Sequence, residues 1–193
     1  RPGAHRRNSA SVWTSARPAH RAALDRPLLA GGHSFGGRMT STAASESPLD
    51  GVHGLVFFAF PLHQPGKPEM KRADHLGAVT IPMLFLTGTR DELADLDLLQ
   101  PVCKRLGKRA TLHLLDTADH GFRVLKRSRK SDEDVFVEMA RVVRPGGLAV
   151  VLTEDAGALE EILARKEVPF RVTRSCQAAI RGVAPTIFAL KRS

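Results

Sequence analysis

Glycine at both ends of one pentapeptide, Gly32-His33-Ser34-Phe35-Gly36, constrains the fold of this chain more than any other feature. The short apolar run Leu28-Leu29-Ala30 precedes it, and small, helix-compatible residues follow it from Phe35 to Ala44. That succession predicts a strand, a sharp turn and a helix. The turn is so tight that side chains at Gly32 and Gly36 would collide with the neighbouring strand and helix. Only then does the Ser34 hydroxyl project above a sheet edge at a helix N-terminus. There the helix dipole and free backbone N–H groups favour developing negative charge.

The rest of the chain repeats the alternation. Gly54 to Phe60 is a continuous apolar run, as expected of a strand covered on both faces. Pro61 to Lys71 holds three prolines and a glycine and reads as a loop, and Pro82 to Thr87 is a buried strand stopped by Gly88. Asp95 to Leu106 reads as a helix that Pro101 kinks or breaks, and Thr111 to Leu115 as a strand. Ser131 and Asp134 form a capping-box pattern opening a helix with Val135, Met139 and Val142 on one face. Beyond Arg144-Pro145-Gly146-Gly147 come a strand at Leu148–Leu152, an amphipathic helix at Ala156–Lys166, and strands at Phe170–Ile180 and Thr186–Leu190. The class expected is α/β: a three-layer, mostly parallel, doubly wound sheet with a C-terminal α/β extension. Three segments are expected: 1–26, basic, low in complexity and poorly ordered; 27–142, the α/β core; and 143–193, the α/β tail.

Composition narrows the setting. The 193 residues are 42% hydrophobic, enough for one core, and no stretch approaches the roughly 18 to 20 apolar residues of a membrane span. Two cysteines far apart, Cys103 and Cys176, give neither a disulfide framework nor a metal or redox motif, so a reducing cytoplasm is expected. The net charge of +9 gathers in Arg1, Arg6, Arg7, Arg17, Arg21 and Arg26, and again in Arg123, Lys126, Arg127, Arg129 and Lys130. No aromatic residues interleave with these cations to make a stacking platform, so a solvated basic surface is expected, not a nucleic-acid site. The chain opens on Arg1 without an initiator Met and is expected to be a fragment, a processed product or an incomplete gene product.

Two segments sit where partners of Ser34 are needed. Thr87-Gly88-Thr89-Arg90-Asp91 follows one strand, and Asp116-Thr117-Ala118-Asp119-His120-Gly121-Phe122 follows the next. In a parallel sheet the C-terminal strand ends share one edge, so Ser34, Asp91 and His120 are expected to converge there. The order serine, aspartate, histidine suits a nucleophile, an orienting acid and a general base. The backbone N–H of Phe35 is the expected oxyanion donor. Asp119 adjoins His120 and is badly placed to orient it; Asp95 and Asp97 lie further along the loop or in the helix.

The stretch Gly31 to Met39, the loop Phe60-Pro61-Leu62-His63 with Pro65-Gly66-Lys67-Pro68, Gly88-Thr89-Arg90-Asp91 and Asp119-His120-Gly121-Phe122 together resemble the dienelactone-hydrolase-like α/β-hydrolases, in the subgroup with a G-G-x-S-x-G-G-R elbow. The resemblance covers roughly residues 24–142. It implies a Ser-Asp-His hydrolase acting on a small ester, lactone or thioester, with no cofactor and no metal. His33, Phe60 and His63 are the expected substrate-binding residues. Some relatives resemble interaction subunits, which makes a catalytically inactive interaction module the alternative. Only about 27 residues precede the elbow strand, fewer than this fold uses, so the strands and the loop carrying a second oxyanion donor are expected to be missing. Losing one such donor costs on the order of a hundred- to a thousandfold in rate.

The tail, about residues 138–192, is similar to the end of a THUMP-linked class I RNA methyltransferase. No glycine-rich methyl-donor loop precedes it, so a methyltransferase remnant is the third reading and an ordinary extension of the sheet the plain one. The expected partner is a small acyl substrate, with no membrane and no nucleic acid; the oligomeric state is not set by the sequence.

Overall fold

Four apolar segments separated by helical or looped connections become four parallel strands: β1 (Leu28–His33), β2 (Val52–Phe58), β3 (Met83–Gly88) and β4 (Ala110–Leu115). The computed structural model describes residues 28–142, 148–153, 170–177 and 186–192. The expected poorly ordered segment 1–26 and the expected helix Ala156–Lys166 lie outside the described residues.

β5 (Leu148–Thr153) runs parallel to β1 on the edge that β2 leaves open, pairing Leu28 with Leu148 through Gly32 with Leu152. β7 (Thr186–Arg192) is antiparallel to β5, and β6 (Phe170–Gln177) is antiparallel to β7. The strand order is β4-β3-β2-β1-β5-β7-β6. The sheet is therefore mostly parallel, as expected. The chain works outward from β1 to β4 and then returns to the other side of β1. Such a reversal of direction opens a crevice beyond the C-terminal strand ends, where ligands of open α/β sheets bind.

Strand periodicity divides the core between two faces. On one face Leu28, Ala30, Leu55, Phe57, Met83 and Phe85 pack with Ala43 of α1 (Phe35–Glu46). The 3₁₀ segment Lys71–Ala78 adds Ala73 and Leu76, and α2 (Leu96–Leu106) adds Leu99, Val102 and Leu106. On the other face Val56, Leu86 and Leu115 meet Val135 and Met139 of α3 (Asp132–Val142). Helices thus cover both faces, giving the three layers.

Two boundaries differ from expectation for physical reasons. The apolar run Gly54–Phe60 forms a strand only to Phe58, because Ala59 adopts a left-handed backbone with φ 56°. Ala59 to Leu62 leave the sheet yet stay buried. α2 continues unbroken through Pro101. Pro101 and Asp97, whose carbonyl loses its helical donor to the proline, are both exposed, so water can satisfy that carbonyl. Among the described residues, no helix is long and apolar enough to cross a membrane.

Candidate active site

The site begins with a strained backbone. Ser34, between β1 and α1, has φ 49° and ψ −117°, a conformation that L-residues rarely occupy. Its N–H donates to the Phe58 carbonyl at 2.9 Å, which ties the turn to the end of β2. The turn closes because glycines let strand and helix touch. A Cβ at Gly32 would lie 2.8 Å from the Gly36 carbonyl carbon and 2.9 Å from the Gly37 nitrogen. A Cβ at Gly37 would lie 2.7 Å from the Gly32 oxygen. Gly32 and Gly36 are both buried here. Gly37 is as constrained in the turn as Gly32, although it lies outside the pentapeptide.

The Asp91 and His120 turns are laced together. Thr89 N–H donates to Leu115 O at 3.0 Å, Arg90 N–H to Ala118 O at 2.9 Å, and Thr117 N–H to the Thr89 hydroxyl at 2.9 Å. Gly88 permits this, since a Cβ there would fall 2.2 Å from the Ala118 oxygen. The lacing brings the three predicted side chains into one chain of hydrogen bonds. His120 Nε2 lies 2.9 Å from Ser34 Oγ, and His120 Nδ1 lies 2.9 Å from Asp91 Oδ1. The Asp91 side chain is fully buried, while that of His120 keeps 23% exposure. Asp91 Oδ1 also accepts from the Leu93 N–H at 2.9 Å, which fixes the carboxylate independently of the imidazole.

The other aspartates have local duties. Asp119 accepts from Gly121 N–H and Arg123 N–H, each at 2.9 Å, and so shapes the loop that carries His120. Asp95 caps α2 by accepting from Asp97 N–H at 2.9 Å.

The three expected substrate-binding residues part company. His33 is half-buried beside the site, with Nε2 3.0 Å from the His120 carbonyl oxygen and its ring 5.2 Å from that of His120. Phe60 is instead a core residue, fully buried against Phe57 and Phe85 at ring-centroid distances of 5.2 and 5.9 Å. The left-handed Ala59 ends β2 just before it. His63 is buried with both ring nitrogens engaged: Nδ1 donates to Gln64 O at 3.0 Å and Nε2 accepts from Asp95 N–H at 3.3 Å. It braces the turn beyond Asp91 and offers no surface to a substrate.

Phe35 is half-buried on the first turn of α1, and the Arg38 guanidinium lies over its ring, 5.5 Å from the centroid. Both sides of that contact lie within one turn of Ser34. Arg38 is the closing arginine of the G-G-x-S-x-G-G-R elbow, to which the motif by itself assigns no role.

The chain has structural likeness to a monoacylglycerol lipase from Paleococcus ferrophilus, with 16% identity, 57% of this chain and 66% of that chain covered, and a TM-score of 0.44. It is also similar to the esterase domain of a Rhodothermus marinus protein (16% identity, 61% and 62% covered, TM-score 0.45). A third likeness, to TrmN from Thermus thermophilus, covers 97% of this chain and 53% of that one at 14% identity and a TM-score of 0.42. The chain spans no more than 66% of the length of any of these three structures. The family model of the alpha/beta hydrolase domain matches residues 5–145, a span that takes in the elbow, the Asp91 turn, the His120 loop and α3. With most of its length so matched, the chain belongs to the alpha/beta hydrolase domain family.

Proposed function

We propose that the protein is a serine hydrolase cleaving a small ester, lactone or thioester, with Ser34 as nucleophile, His120 as base and Asp91 as orienting acid. One observation carries this reading: the unbroken hydrogen-bond chain Ser34 Oγ–His120 Nε2–His120 Nδ1–Asp91 Oδ1, each step 2.9 Å. In the active tautomer Nδ1–H donates to Asp91 and Nε2 accepts the Ser34 proton as Oγ attacks the acyl carbon. The tetrahedral oxyanion then meets the Phe35 N–H, one of the unpaired donors of the first turn of α1. The imidazolium returns the proton to the departing alkoxide or thiolate. Water, deprotonated by the same imidazole, releases the acyl group from Ser34.

The elbow sequence Gly31-Gly32-His33-Ser34-Phe35-Gly36-Gly37-Arg38 supports a place in the dienelactone-hydrolase-like subgroup, and His33 stays a candidate wall of the substrate site. The hydrolase unit is taken as residues 27–142 and the tail, 143–193, as an addition to its sheet; a reducing cytoplasm suits the free, buried thiol of Cys103.

A fluorophosphonate probe tests the reading. Folded protein is expected to be labelled at Ser34, with no labelling in Ser34→Ala and a fall of about 10⁴- to 10⁶-fold in hydrolysis of an activated ester. Folded protein that neither labels nor cleaves such an ester would favour the inactive interaction module.

A further inference from the structure

Arg38 is a half-buried cation with no anion paired to it among the described residues. It stands four residues after Ser34 in α1, and helical side chains lean toward the helix N-terminus, here toward the sheet edge that carries the site. Its Nε is buried and has no hydrogen-bond partner. The Phe35 ring attracts the guanidinium but supplies no acceptor in its plane. Burial and the nearby charge of Arg72 both push the Arg38 pKa down, so the surroundings oppose the cation where a partner would normally support it.

The neighbours do not relieve this. Arg72 spends one N–H on the His63 carbonyl at 2.9 Å. His75 Nε2 lies 2.7 Å from the Ser41 hydroxyl, and burial, with Arg38 next, lowers its pKa to about 4, so it is neutral at pH 7. Asp74 acts on His75. Among the described residues, the ion pairs are His113–Glu138, His120–Asp91 and Lys130–Glu138, and none reaches Arg38 or Arg72. A partly desolvated guanidinium with unspent donors, beside a second one, has the form of a receptor for a carboxylate or phosphate.

We infer that Arg38, with Arg72 as a second positive charge, forms an anion subsite one helical turn from Ser34, which receives an anionic group carried by the acyl substrate. The inference rests on Ser34 being the nucleophile and names the substrate class: an ester, lactone or thioester bearing a carboxylate or phosphate. The Phe35 ring holds the guanidinium plane in place, so the planar fork is presented without reordering.

The test compares 4-nitrophenyl hydrogen succinate with neutral 4-nitrophenyl butyrate, which place the same leaving group on acyl chains of similar length. The wild-type protein is expected to favour the anionic ester in kcat/KM by about tenfold or more, and Arg38→Gln to bring the ratio close to one. Arg72→Gln is expected to lower the ratio by a smaller factor. Equal wild-type rates for the two esters overturn the inference, as does a ratio that survives in folded Arg38→Gln. Titration of succinate and of inorganic phosphate into Ser34→Ala protein, followed by calorimetry, separates carboxylate from phosphate. The same titrations keep the two proposals distinguishable when no ester is cleaved. Binding by the Ser34→Ala protein that is lost on adding Arg38→Gln supports the subsite alone, and no binding of either anion overturns it.

Discussion

Ser34 holds a backbone conformation, φ 49° and ψ −117°, that costs of order 1–3 kcal/mol and persists only where the surroundings over-determine it. Here the determinants are the Ser34–Phe58 backbone hydrogen bond and the glycine contact between β1 and α1. Asp91 offers the cleanest single-residue prediction. Asp91→Asn is expected to keep the fold but lower kcat by about 10⁴, because the amide favours the wrong imidazole tautomer; steady-state kinetics beside circular dichroism checks this. His75 gives a pH prediction. Its folded pKa, about 4, lies below the ordinary 6.5, so the unfolded chain binds the proton more readily. The contribution of His75 is fully present above pH 6.5 and is lost as pH falls toward 4. Denaturation midpoints are expected to drop across that window in wild type, and to drop less in His75→Gln. At this scale Ser34, Asp91 and His120 were legible because chain order and strand ends fix which residues reach one edge. Phe60 and His63, expected beside the substrate, lie in the interior, and composition does not reveal the left-handed turn at Ala59 that precedes them.

Elements owe their limits to caps and to partners. α3 opens on the capping box expected of Ser131 and Asp134: the Ser131 hydroxyl accepts from Asp134 N–H at 3.2 Å, and the Asp134 carboxylate accepts from Ser131 N–H at 2.9 Å. Ser131→Ala is expected to cost about 1 kcal/mol, read as a lowered urea midpoint at unchanged slope. Val135 and Met139 then pack under β2, β3 and β4, as helical spacing predicts. α2 shows the other limit of sequence reading. Pro101 is a breaker by propensity, yet Leu99, Val102, Cys103 and Leu106 bury the opposite face and hold the helix together. Strand lengths were legible only to within two or three residues, because a strand ends where its neighbour stops pairing or its backbone turns, as at Ala59.

The whole molecule is organised around β1, which is flanked by β2 on one side and β5 on the other. Removing residues 148–193 would strip the pairing of Leu28–Gly32 with Leu148–Leu152 and bare an apolar edge at the elbow strand. The shortened chain is expected to aggregate, or to lose labelling at Ser34, when examined by light scattering and a fluorophosphonate probe; a monomeric, fully labelled product would show that β1 needs no partner there. Local chemistry was enough to specify the α/β alternation, the tight turn at Ser34, the capping of α3 and the three residues that meet at the sheet edge. Each of these follows from sterics, dihedral preference or strand-and-helix periodicity acting over a few residues. Tertiary structure alone decided that β5 lies beside β1, that Phe60 and His63 belong to the interior, and that Arg38 is half-buried with no paired anion among the described residues. Those outcomes depend on which distant segments pair and pack, and that choice is made by the summed burial and hydrogen bonding of the whole sheet, which no short stretch of sequence encodes.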